Sequence, residues 1–69
     1  MEDLYSPEFW AIVASKVREG QRKGQAVFNT AAEFHHKEAG ELTGTVFDPF
    51  YQDAKVSAFL EKLADILTR

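Results

Sequence analysis

Apolar and small side chains recur at intervals of mostly three or four along the first half of the chain. They are Phe9, Trp10, Val13, Val17, Gly20, Gly24, Val27, Phe28, Ala31, Phe34 and His35. At roughly 100° per residue these positions project within about 120° of one another, the mark of one helical stripe. The register survives both glycines, so the pattern predicts a single long helix over about 7–37, in which each interior glycine costs about 1 kcal/mol. A break near 20–24 is the alternative. The segment Gly20-Gln21-Arg22-Lys23-Gly24 lacks Pro, Asn, Asp and Ser, so its turn chemistry is poor. The pairs Arg18 with Arg22, Gln25 with Asn29 and Asn29 with Glu33 also keep helical i,i+4 order on the opposite face. Continuity is therefore the preferred reading.

The helix has a well-marked start. Ser6 is a capping residue, Pro7 occupies a first helical position where an N–H is not needed, and Glu8 suits the positive end of the dipole. Tyr5, outside the cap, is placed to staple onto the first turn. Gly40 and Gly44 close the helical region, with room for a short turn around Lys37–Leu42. Asp48-Pro49 then reads as a turn, and Asp53 as the N-cap of a last helix over about 54–68. Val56, Phe59, Leu60, Leu63, Ile66 and Leu67 form that helix's apolar stripe, while Lys55, Glu61, Lys62 and Asp65 make a solvated face. Phe50 is expected to pack on the long helix and Tyr51 to keep its hydroxyl at the surface.

These elements predict an all-α fold in one small domain, 1–69, with the last helix packed back as a hairpin or small bundle. A thirty-residue helix is roughly 45 Å long and a fifteen-residue one roughly 23 Å, so the second cannot cover the first. Either the aromatic turn or a partner covers the remainder. Gly20 and Gly24 have the spacing that lets helices approach closely, and with Trp10, Val17 and Phe28 they form the expected protein-interaction face. A homodimer is one expected outcome.

Composition narrows the class. Hydrophobic residues make up 45% and aromatics 13%, which favours a folded chain over a disordered one. No cysteine is present, so disulfides and thiolate metal sites are excluded. The longest apolar run, Phe9–Ala14, is far shorter than a bilayer span, and no membrane association is expected. Glu2 and Asp3 do not resemble the basic start of a secretory leader, which predicts a cytoplasmic protein. A net charge of −3 argues against nucleic acid as the main partner.

Candidate chemistry is sparse. Adjacent residues on a helix point about 100° apart, so His35 and His36 cannot close one metal site. One buried or half-buried imidazole, His35, and one solvated, His36, is the expected outcome. Thr30, Thr43 and Ser57 lack a histidine in any nucleophile arrangement. No catalytic, cofactor-binding or metal-binding residue is assigned, and the chain is not read as an enzyme. Lys16, Arg18, Arg22 and Lys23 form the one basic cluster and the candidate phosphate contact of a nucleic-acid-binding alternative. A duplex reader would also need a recognition helix, and residues 25–37 offer Gln25 and Asn29 but a single basic side chain, Lys37.

Three strings carry a resemblance: GQRKGQAVFN (20–29), DPFYQD (48–53) and VSAFLEKL (56–63). In this order they resemble a group of short phage- and prophage-encoded small proteins carrying GQ-x-x-GQ-x-x-FN and D-x-FY-x-D motifs. The likeness runs from Trp10 onward. It implies a setting, mobile-element biology inside a bacterial cell, and brings no reaction or site residue with it. Together with the residue pattern it leads to an expected function as a small non-enzymatic protein-interaction module, a modulator or inhibitor of a host or phage protein.

Overall fold

The computed structural model describes residues 6–68 and is all-helical over them, with four α-helices packed into a small bundle. Helix α1 spans Pro7–Arg18, α2 Lys23–Phe34, α3 His36–Glu41 and α4 Val56–Leu67, with a 3-10 turn at Asp53–Lys55 leading into α4. The expected staple by Tyr5 and the acidic start at Glu2 and Asp3 lie outside the described residues.

The start of α1 follows its sequence signals. Ser6 is the N-cap and its Oγ accepts the N–H of Phe9 at 3.2 Å, with Pro7 in the first turn. The continuous helix over 7–37 does not form. Helix α1 ends at Arg18, and its last carbonyls are closed by a Schellman arrangement: the N–H of Gly20 donates to the Val17 carbonyl at 3.0 Å and that of Gln21 to the Lys16 carbonyl at 3.1 Å. Gly20 has φ +111°, a region that L side chains rarely adopt, and this one residue turns the chain. The glycine expected as an interior cost is a stop signal. Because Schellman closure satisfies the end through backbone N–H groups, the turn does without Pro, Asn or Asp.

Helix α2 then folds back on α1. Phe9 meets Phe34 edge-on with ring centroids 5.7 Å apart, and Lys16 pairs with Glu33 at 2.6 Å across the two helices. A second interruption falls at His35, whose φ of −139° and ψ of 67° end α2 and begin α3. The shared apolar register of residues 9–35 thus serves two antiparallel faces rather than one stripe. In both halves in-phase residues point inward, with Phe9 and Val13 from α1 and Val27 and Ala31 from α2 buried, while Val17 near the end of α1 is exposed.

The core is completed by Ala26, Ala39, Leu42, Val56, Phe59, Leu60 and Leu63. Burying each large apolar side chain contributes roughly 1.5–3 kcal/mol. Helix α4 keeps the predicted stripe, with its first two expected residues taken up by the 3-10 turn. Asp53 does not cap α4. Its carboxylate reaches α2 instead, accepting the N–H of Gly24 at 2.9 Å from 29 residues away.

Candidate protein-interaction surface

The expected interaction residues separate into three places. Trp10 and Val17 lie two turns apart on α1; Trp10 is half-buried with its ring edge-on to Phe9, and Val17 is exposed. Gly20 sits at the exposed α1–α2 corner with nothing within 4 Å of its Cβ position. Gly24 and Phe28 lie beneath the segment that links α3 to α4. No common groove unites Gly20 and Gly24, because a helix end lies between them.

Gly24 receives the chain's own backbone. A Cβ there would overlap the carbonyl oxygen of Pro49 and stand 3.1 Å from Asp53 Oδ1. The close approach at Gly24 is therefore made by the aromatic turn, not by another helix. The length argument for a dimer falls with the long helix, since α1 and α2, at 12 residues each, cover one another.

Two of the motif strings thus meet face to face. Gly24 and Phe28 come from the first, and Pro49, Phe50 and Asp53 from the second. The Phe28 ring lies between Phe50, edge-on at 6.1 Å, and Phe59 at 5.5 Å. Pro49 is fully buried. The turn itself is braced by Asp48, whose Oδ1 accepts the Phe50 N–H at 2.9 Å and whose Oδ2 accepts the Gly44 N–H at 2.8 Å. Phe50 is half-buried rather than a full core residue, so its expected weight in the core is reduced. Tyr51 is 76% exposed, with its ring held edge-on to Phe50 at 4.8 Å. Sequence spacing holds no signal that Asp53 and Gly24 are partners. The capping signal at Asp53 marks the right residue, but local chemistry assigns it to the nearest helix.

The basic cluster is also redistributed. Lys16 has a side chain 19% exposed and paired with Glu33, whereas Arg18, Arg22 and Lys23 are exposed around the α1–α2 corner and make no ion pair among the described residues. The corner is not followed by a recognition helix. Gly24, Ala26, Val27, Thr30 and Ala31 of α2 are buried, and Asn29 donates its Nδ2 to Gln21 Oε1 at 3.1 Å. Of the twelve α2 residues, Lys23 and Glu33 are exposed and the others are buried or half-buried.

His35 is half-buried and His36 exposed, as their positions on the pattern imply. Among the described residues no group of three or more His, Asp or Glu side chains could hold a metal ion. The Thr30 hydroxyl is buried and donates to the Ala26 carbonyl at 2.7 Å, which removes it as a nucleophile. Phe47, Ala58, Glu61, Lys62 and Asp65 line an open depression of about 250 Å³, with the Lys62 ammonium 5.7 Å from the centre of the Phe47 ring. No described helix is long and apolar enough to cross a membrane. Comparisons with family models, curated proteins and solved structures give no match for this chain.

Proposed function

We propose that this chain is a small non-enzymatic protein-interaction module that presents the aromatic turn 48–53 to a protein partner. The observation that carries the reading is Tyr51: an aromatic side chain 76% exposed, on a backbone braced by Asp48 and anchored by Pro49 against Gly24. Tyrosine on a rigid support gives a large amphipathic contact at low conformational-entropy cost, which is why it is enriched at interface hot spots. The phage resemblance supports a modulator or inhibitor of a host or phage protein, acting in the bacterial cytoplasm. Trp10 and Val17 on α1 supply a second apolar strip for the same role.

Affinity purification of the tagged protein from its native host tests this reading. A stoichiometric, nuclease-resistant protein partner lost on Tyr51→Ala is the expected result. Nuclease-sensitive material lost on Arg18→Ala/Arg22→Ala would replace it with the nucleic-acid alternative, in which the basic corner makes the contact.

A further inference from the structure

We propose that residues 43–53 form a strap that opens as a unit, freeing Gly24 from Asp53 and uncovering Phe28, while the α1–α2 pair and the buried face of α4 stay packed. The hydrogen bonds of this segment are mostly local, within it or to the chain immediately beside it at Gly40, Leu42 and Lys55. The Thr45 hydroxyl donates to the Leu42 carbonyl at 2.7 Å and accepts the Phe47 N–H at 3.1 Å. The Asp48 carboxylate ties Gly44 to Phe50, and the Gln52 N–H donates to the Pro49 carbonyl at 2.9 Å. None of these bonds is broken by lifting the segment off the helices. Among the bonds described, two join it to α1, α2 or α4, both at Asp53: the Gly24 N–H to its carboxylate, and, at the chain junction itself, the Val56 N–H to its carbonyl.

The apolar anchorage is equally local. Three residues hold it: Pro49 sits over Gly24, Phe50 packs edge-on with Phe28, and half-buried Phe47 rests against the core beside Lys62 of α4, while Thr43–Val46 and Tyr51–Ala54 are exposed. Gly44, with φ +77°, gives the α3 end a residue free to change its dihedrals. At the other end α4 begins with no side-chain cap, so the 3-10 turn at Asp53–Lys55 is a soft junction. Phe9, Val13, Val27, Ala31 and Leu63, all buried in the core cluster, come from α1, α2 and α4 and not from the strap. A segment held by a few apolar side chains, with mostly local hydrogen bonds, is the kind that opens below the global unfolding free energy. In the open form Phe28 parts from Phe50 and keeps Phe59, so one face of its ring is presented to solvent.

Native-state hydrogen exchange tests the strap, with the Gly24 amide reporting its clasp and the Ala31 amide reporting the core. In rising, sub-denaturing urea the Gly24 exchange free energy should fall with a slope between zero and that of Ala31. Phe50→Leu weakens packing that holds the strap down, and should speed Gly24 exchange by about tenfold. Phe9→Leu weakens packing that persists in the open form, and should speed Ala31 exchange while leaving Gly24 unchanged. A zero slope with no response to Phe50→Leu would reduce the motion to fraying of one capped N–H. A full slope, with Gly24 and Ala31 responding equally to both variants, would mean the segment opens only when the whole chain unfolds. Either result overturns the proposal.

Discussion

Gly24 and Pro49 meet backbone to backbone, with the Pro49 carbonyl oxygen in the space a Cβ on Gly24 would fill. The obstacle is main chain, and it belongs to a turn whose proline is fully buried, so it has little freedom to retreat. Replacing Gly24 with alanine improves intrinsic helix propensity by about 1 kcal/mol. Overpacking at such an approach costs about 1–3 kcal/mol. The second effect wins, and Gly24→Ala should lower Tm by several degrees, with Gly24→Leu worse. Thermal unfolding by circular dichroism checks the sign; a rise in Tm on Gly24→Ala would show that the Pro49 carbonyl yields without cost.

Gly20 makes the opposite test of local conformation, since its Cβ position is open space and its φ is +111°. In a continuous helix Gly20→Ala would stabilise by about 1 kcal/mol. With Gly20 closing a Schellman motif, the same change should destabilise by about 1–2 kcal/mol through backbone strain alone. Chemical denaturation of the variant distinguishes the two by sign.

The elements that local chemistry dictates are readable from the chain. Ser6-Pro7-Glu8 marks the start of α1, and the spacing of Val56, Phe59, Leu60 and Leu63 marks the buried face of α4. The inward residues of α1 and α2 are also legible, because helical periodicity reports which side is apolar whether or not the helix is continuous. Periodicity leaves continuity and the break near 20–24 both open, because it carries no direction, and it is the break that forms. Two antiparallel helices that share a register look like one. Gly20 after the basic Arg18 is the stop signal the sequence does hold, and the absence of Pro and Asn masks it. At the candidate surface, the exposure of Tyr51 follows from its place beside a proline turn. The Asp53–Gly24 clasp does not follow from local chemistry, since a cap supplied from 29 residues away is a product of tertiary packing.

The basic corner leads to a prediction about nucleic acid. Arg18, Arg22 and Lys23 can contribute phosphate contacts, but each such contact is salt-sensitive and none reads sequence. Helix α2 is committed to the core, and the whole chain carries a net charge of −3. No sequence-specific duplex binding is expected at physiological salt. A mobility-shift series over competitor sequences and salt concentrations measures this. A salt-resistant, sequence-selective shift abolished by Arg18→Ala/Arg22→Ala would reverse it.

Phe50 and Tyr51, adjacent in the turn, should separate stability from binding. Full burial of a phenylalanine gives losses of about 3–5 kcal/mol on truncation to alanine; Phe50 is half-buried, so Phe50→Ala should cost roughly half as much. The loss arises from its edge-on packing against Phe28, at 6.1 Å, and from the support it gives Tyr51, at 4.8 Å. Tyr51 touches the fold mainly through that one ring. Tyr51→Ala should cost no more than about 1 kcal/mol, the value of an exposed aromatic pair. Under the interaction reading, Tyr51→Ala leaves Tm within a few degrees of wild type and abolishes partner capture. Phe50→Ala lowers both, and Phe50→Leu, which refills part of the volume, recovers part of the Tm and part of the capture together. Tm and capture measured on all three variants decide the matter. Capture that survives Tyr51→Ala but disappears with Phe50→Leu at unchanged Tm would move the binding role from Tyr51 to the Phe50 ring itself.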